Sequence, residues 1–224
     1  DGLLKATGFI VGEDIPPVPK HLRPIPIQRP ENNSYRNNFI SEVPPRPATG
    51  NQRALVLLVQ FADRSLMTSE TDWSNLIFGT AFSSVRHYYS EASYNHLDLI
   101  PAEESYGTAN DGIVVVTLPS NHPNTGGGMS DTNRQIVKDA LIAADPYVDF
   151  AAFDFDGNGY ISSDELHIVV VVAGYEASYA GSTASCSPNV WAHNWSLFGT
   201  VSAPTLDGKI VASSAGKGNY TQQG

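Results

Sequence analysis

Two almost uninterrupted apolar runs of strand length limit the folds open to this sequence most strongly. The first is Ala54–Phe61, and the second is Leu166–Ala173, in which four consecutive valines follow Ile168. A strand that is apolar on both faces of its pleat is buried on both sides, which is typical of the centre of a sheet covered by helices. Both runs therefore predict central strands of one sheet.

The segments around these runs alternate between helix and strand patterns. Asp131–Ala144 repeats apolar residues with a helical period after a capping Ser130 or Asp131. Asp72 supplies the N-cap signal of a shorter helix that ends at Phe78. Further patterns predict a helix over 83–93 and strands over 97–100, 112–118 and 209–213. We therefore assign the chain to the α/β (α+β) class, with helices packed on a mixed sheet.

Residues 1–50 differ from the remainder in composition. They contain nine of the 15 prolines, and proline removes the backbone donor and fixes φ, so neither a helix nor a central strand is expected there. They carry six basic and five acidic residues, whereas residues 51–224 carry seven basic and 18 acidic residues. We predict an extended Pro-rich segment over 1–50 and a globular domain over 51–224. A solvated linker and an arm that lies across the acidic domain both fit this composition.

Composition also excludes several classes of protein. The formal net charge of −10 argues against nucleic-acid binding, because such a chain repels phosphates. No apolar run reaches the roughly 18 residues of a membrane-spanning helix. The single cysteine, Cys186, excludes an intrachain disulfide and a zinc site built from cysteines. Hydrophobic residues make up 41% of the chain, which is enough for a sizeable core.

The most specific motif is Asp154–Glu165, which matches the calcium-loop pattern D-x-[DN]-x-[DN]-G-x5-E at every fixed position. Calcium prefers about six to eight oxygen ligands, and carboxylates spaced two residues apart converge as such a chain curls. Gly159 permits the sharp turn, and Ser162 offers a hydroxyl or a bridging water. We predict a calcium site with side-chain ligands from Asp154, Asp156, Asn158 and Glu165 and a backbone carbonyl from Tyr160. The alternative is an acidic surface turn without a metal.

The surroundings of this loop indicate a static site. Seven acidic residues and no Lys or Arg lie between Asp139 and Glu165, so solvent or a cation has to offset their repulsion. The loop joins a helix to a β-rich segment and is therefore not a helix–loop–helix hand. A calcium sensor needs a second hand and a Met-rich groove, whereas this chain has one loop and two methionines.

Recognisable catalytic motifs are absent from the sequence. None of the six histidines has another histidine four residues on, so there is no H-E-x-x-H zinc motif, and there is no G-x-S-x-G. Gly126–Gly128 lacks the lysine of a phosphate loop, and Cys186 has no flanking signature. We expect His87 and Glu91 to form an exposed polar pair, and His193 to pack as a buried, hydrogen-bonded residue. No residue is therefore assigned a catalytic role.

Four pieces of the chain stand in a characteristic order: Ala54–Phe61 with Ala62-Asp63, Ser84–Tyr94, Asp154–Glu165 leading into His167–Glu176, and Val190–Trp195. In this order they resemble the immune-inhibitor-A family of secreted bacterial metalloproteases (peptidase family M six). The Pro-rich start resembles the junction between propeptide and catalytic domain in that family. The resemblance covers roughly residues 1–215 and is specific as a series of spaced pieces, none of which is diagnostic by itself.

The resemblance implies a secreted, calcium-stabilised zinc endopeptidase of the zincin type. It makes residues 1–50 the end of a propeptide and residues 51–224 the incomplete N-terminal part of a catalytic domain. An edge strand of the sheet pairs with an extended peptide substrate in such enzymes. The family's zinc motif, H-E-x-x-H-x-x-G-x-x-H, is missing here, so the resemblance places the Zn²⁺ ligands downstream, in the C-terminal remainder of the parent chain. This chain alone is expected to be inactive.

Two other interpretations fit the sequence. One is a non-enzymatic calcium-binding surface or secreted module, and the other is a degenerate protease homologue that kept the scaffold without zinc. The chain starts at Asp1 without Met or a signal peptide, and we find no residue in Lys217–Gly224 that would pack to finish a domain. We therefore expect a piece of a longer protein.

Overall fold

The central sheet is built around the first apolar run. The computed structural model describes residues 49–128, 130–180 and 186–224. Its strands are β1 (Gly50–Phe61), β2 (Leu97–Pro101), β3 (Ile113–Leu118), β4 (Tyr160–Ile161), β5 (His167–Val172), β6 (Tyr175–Glu176), β7 (Asn189–Val190), β8 (His193–Trp195), β9 (Thr205–Leu206), β10 (Lys209–Val211) and β11 (Tyr220–Gln223). Its α-helices are α1 (Glu70–Phe78), α2 (Val85–Ala92), α3 (Asp131–Ala144) and α4 (Ala177–Ala180).

Six strands form one sheet in the order β2-β1-β5-β11-β8, with β3 also paired to β1. On one side, β1 pairs in parallel with β5. On its other side it pairs in parallel with β2 along its first half and with β3 along its second half. β11 continues the parallel arrangement beside β5, and β8 closes the path antiparallel to β11. The predicted mixed sheet with helices is therefore confirmed.

Each face of this sheet carries its own apolar core. Side chains alternate along a strand, so Leu55 and Leu57 point to the face covered by α3, whereas Val56 and Leu58 point to the face covered by α1. Every one of these four side chains is fully buried. The continuous apolar pattern of β1 follows from this cover on both sides.

Helices α1, α2 and α3 each begin at a serine side-chain cap. Ser130 caps α3 by accepting a hydrogen bond from the backbone N–H of Asn133, which settles the choice between Ser130 and Asp131. α1 begins at Glu70 after the N-cap Ser69, so the prediction that Asp72 starts this helix was wrong. None of the described helices is long and apolar enough to cross a membrane.

A second, smaller sheet lies next to the acidic loop. It has the order β4-β10-β9, with β10 parallel to β4 and antiparallel to β9. Two short 3₁₀ helices, Asp145–Tyr147 and Phe150–Phe153, lie between α3 and the loop along the chain. The loop Asp154–Glu165 therefore follows a 3₁₀ helix rather than an α-helix, contains β4, and leads into β5, which begins at His167.

The last residues of the chain form a strand inside the main sheet. β11 lies between β5 and β8, and its Tyr220 is fully buried. The expectation that Lys217–Gly224 holds no packing residue was therefore wrong. The extended Pro-rich segment was predicted over residues 1–50; residues 1–48 lie outside the described residues, and Gly50 already begins β1.

Candidate metal centre

Both ends of the acidic loop are fixed in the hydrophobic core. Phe150 and Phe153, in the 3₁₀ helix before the loop, are fully buried, and Ile161 in β4 is 1% exposed. The residues between them, 154–160, are exposed or half-buried, and apart from the exposed Phe155 they are mostly polar residues and glycines. The loop therefore presents its polar side chains from a rigid base, which is what a preorganised ligand site requires.

The backbone of the loop curls through two glycines with positive φ. Gly157 has φ 72° and Gly159 has φ 84°, a region in which L side chains are strained. The carboxylate of Asp154 accepts hydrogen bonds from the backbone N–H groups of Asn158 and Gly159, both at 3.0 Å. Asp156 Oδ1 accepts a further bond from the N–H of Asn158, also at 3.0 Å. These bonds hold the two carboxylates on the inside of the curl.

Three of the predicted ligands converge. One carboxylate oxygen from each of Asp154, Asp156 and Glu165 lies within 4.8 Å of the other two. Two oxygens bound to one calcium ion at about 2.3–2.6 Å are at most about 5 Å apart, so this spacing suits a shared ion. All three donors are hard anionic oxygens, which calcium and magnesium prefer as ligands. The group contains no nitrogen or sulfur donor, which zinc favours.

Glu165 is held in place from both sides of the loop. Its Oε1 accepts the backbone N–H groups of Phe155 at 2.9 Å and of Asp156 at 3.3 Å. Its Oε2 accepts the backbone N–H and the hydroxyl of Ser162, both at 2.8 Å. The residue is only 8% exposed, so its carboxylate ties the first and the last part of the loop together.

The other two predicted ligands lie in the same loop, but their oxygens are not among the convergent carboxylates. The side-chain oxygen of Asn158 accepts the backbone N–H of Tyr160 at 2.7 Å, and its NH₂ donates to Asp156 Oδ2 at 2.7 Å. Tyr160 pairs with Ile210 at the start of the β4–β10 ladder. In this structure the side chain of Asn158 therefore stabilises the curl of the loop through its hydrogen bonds to Tyr160 and Asp156.

A cation from a distant segment reaches this cluster. The Nζ of Lys209, the first residue of β10, lies 2.6 Å from Asp154 Oδ2. The Asp154 side chain is fully buried, and the hydrogen bond from Lys209 is the main reason why its pKa is lowered from its usual value. Lys209 was not among the predicted site residues, because it lies in sequence well beyond Glu165, and no local pattern connects it to the acidic loop.

The histidines do not add a second metal centre in the described part of the chain. No histidine or cysteine belongs there to a group of three or more candidate ligands, and His21 lies outside the described residues. His193 is half-buried and hydrogen-bonded, with Nδ1 2.7 Å from the carbonyl oxygen of Trp191 and Nε2 3.2 Å from the hydroxyl of Tyr220. His193 is therefore hydrogen-bonded as predicted, but the prediction that it is buried was wrong.

Comparison of the sequence with protein-family models and with curated proteins finds no match. The geometry of the acidic loop and of the sheet therefore carries the functional argument for this chain.

Proposed function

We propose that residues Asp154–Glu165 bind one structural calcium ion, in a domain that belongs to a secreted zinc metalloendopeptidase. The convergence of the three carboxylates on one point carries the calcium part of this proposal. Asp154, Asp156 and Glu165 would hold the ion, and Asn158 and Tyr160 would complete its oxygen shell. The ion would supply the positive charge that this crowded loop needs beyond Lys209.

Calcium and not magnesium is the expected ion. Magnesium demands near-octahedral geometry at about 2.0–2.1 Å and keeps several of its waters, whereas calcium accepts more ligands at longer and more variable distances. The donors here are two aspartates, a glutamate, an amide and a backbone carbonyl, which is more than the one or two carboxylates through which proteins usually hold magnesium. A pattern with a terminal bidentate Glu165 is typical of calcium loops.

The calcium site is tested by thermal unfolding of the chain in saturating Ca²⁺ and in EDTA. An ion at about one hundred times its Kd stabilises the folded state by about 2.7 kcal/mol. For a domain of this size that corresponds to a rise in Tm of about 5–10 °C. Asp156→Ala should abolish the rise, whereas Asp139→Ala, which removes a carboxylate from the exposed face of α3, should retain it. Identical melts of the unmodified chain in Ca²⁺ and EDTA would contradict the site.

The sheet supports the peptidase part of the proposal. β8 is the antiparallel edge strand and pairs only with β11 among the described strands. An extended peptide can add to such an edge through backbone hydrogen bonds. The zinc motif of the parent would follow β11 in the chain. Since β8 is the edge strand that pairs with β11, a peptide added to β8 would lie on the side of the sheet where the chain continues toward that motif. We therefore propose that His193–Trp195 is the strand that pairs with a protein or peptide substrate in the parent enzyme.

The described residues do not fit a catalytic zinc ion, since their one group of candidate ligands contains only carboxylates. The proposal therefore places the zinc ligands outside this chain. Reading the source transcript past the codon of Gly224 tests this part. A zinc motif within a few dozen codons would support the enzyme, and a stop codon would leave the non-enzymatic calcium-binding module in its place.

A further inference from the structure

Lys209 is the one basic residue that forms an ion pair with the candidate calcium ligands in the described part of the chain. We propose that Lys209 is a built-in counter-cation that lets the acidic loop fold without metal and lowers the affinity of the loop for calcium. This inference rests on the calcium site proposed above and assigns the residue that sets its strength.

The position of Lys209 is fixed by backbone pairing. β10 runs parallel to β4, with Ile210 opposite Tyr160 and Val211 opposite Ile161. The N–H of Ile210 donates to the carbonyl of Gly159 in the loop at 2.9 Å. This ladder ties the backbone of β10 to the loop itself, so Lys209 extends from a fixed point beside the loop, and its ammonium reaches Asp154.

The two oxygens of Asp154 have different surroundings. Oδ2 accepts the Lys209 ammonium at 2.6 Å and the N–H of Gly159 at 3.0 Å. Oδ1 accepts a single hydrogen bond, from the N–H of Asn158 at 3.0 Å. An ion bound through Oδ1 would therefore share one carboxylate with the ammonium, and the two positive charges would lie only a few ångströms apart.

This arrangement acts on both states of the loop. Without calcium, the buried side chain of Asp154 keeps a charged partner in the partly exposed Lys209, and this pair offsets part of the repulsion within the acidic loop. With calcium, repulsion between the ion and the ammonium weakens binding, because partial burial limits screening by solvent. Both effects predict that neutralising Lys209 tightens calcium binding.

Isothermal titration of the full 224-residue chain with CaCl₂ measures this effect. Lys209→Gln keeps a hydrogen-bond donor near Asp154 but removes the charge. Its calcium Kd should fall about tenfold, which corresponds to about 1.4 kcal/mol. Lys209→Arg keeps the charge and should stay within about twofold of the unmodified chain. Lys217→Gln is the matched control, because Lys217 is exposed and makes no ion pair with the described residues.

Lys209→Met is a second neutral variant. It guards against an effect of Lys209→Gln that comes from the packing or hydrogen bonding of the new glutamine and not from the lost charge. Its rise in Tm between EDTA and Ca²⁺ should exceed that of the unmodified chain. Neutral variants that bind calcium as weakly as the unmodified chain, or more weakly, would overturn this role of Lys209 and leave the calcium site standing. Absence of a calcium response in the unmodified chain and in every variant would overturn the calcium site and this inference together.

Discussion

His122 is a buried titratable residue outside the candidate metal centre. Its backbone N–H donates to Asp63 Oδ1 at 2.8 Å, and its Nδ1 accepts the N–H of Asn124 at 2.9 Å. Its ring packs edge-on against Phe61, with 4.7 Å between the centroids. Burial lowers the pKa of His122 below its usual value, and the nearby Asp63 opposes this effect only in part. The fold therefore favours the neutral imidazole.

This environment predicts a loss of stability in mild acid. Because the pKa of His122 is lower in the folded chain than its unfolded value of about 6.5, the unfolded chain binds more protons between those two pKa values. The free energy of unfolding should therefore fall as pH decreases through about 6.5 toward the folded pKa. His122→Gln should reduce this slope in urea titrations between pH 7.5 and 5.5.

Two comparisons make the pH experiment specific. His167 also has a lowered pKa, chiefly from burial, so part of the slope should persist in His122→Gln. His96→Gln replaces an exposed histidine and should leave the slope as it is in the unmodified chain. A His122→Gln variant with the full slope would show that this residue does not contribute to the acid sensitivity.

At the scale of a single element, α1 shows how a short helix is started. Ser69 accepts the N–H of Asp72 at 3.2 Å, while the Asp72 carboxylate accepts the N–H of Ser69 at 2.9 Å. This reciprocal capping box satisfies two backbone donors that the helix itself leaves free. The same hydrogen bonds lower the pKa of Asp72, with the backbone bond from Ser69 as the largest cause. The cap is therefore Ser69, and Asp72 is its partner three residues on.

Ser69→Ala should lower the free energy of unfolding by about 1 kcal/mol, because the N–H groups of the first turn lose their side-chain acceptor. Chemical denaturation of the variant and of the unmodified chain measures this difference. Ser65→Ala is a suitable control, since Ser65 is also exposed but lies ahead of the cap. If the two alanine variants were equally stable, the capping box would contribute nothing measurable to α1.

At the scale of the whole molecule, the proposal predicts that this chain is inactive on its own. The 224-residue chain should not hydrolyse casein when zinc is added, because its described residues offer no histidine-containing metal group. Release of dye from labelled casein, with and without Zn²⁺ and EDTA, measures this, and a known zinc protease serves as the positive control. Zinc-dependent cleavage that EDTA stops would place a catalytic element within these residues.

Features that depend on neighbouring residues could be predicted from the sequence. The apolar runs predicted the central strands β1 and β5, since burial on both faces needs apolar side chains at every position. The spacing of Asp154, Asp156 and Glu165 predicted their convergence, because twelve consecutive residues determine how that loop curls. The mixed sheet followed from the alternation of strand and helix patterns.

Features that join distant segments were decided by the tertiary structure. Tyr220–Gln223 has no apolar run, yet it becomes a strand because β5 and β8 provide backbone partners on both sides. Lys209 meets Asp154, 55 residues earlier in the chain, only because β10 pairs with β4. The sequence by itself determined which strands are central and which three carboxylates converge in the acidic loop. The fold alone decided which charge faces that loop and which strand closes the sheet, because long-range pairing depends on topology and not on local pattern.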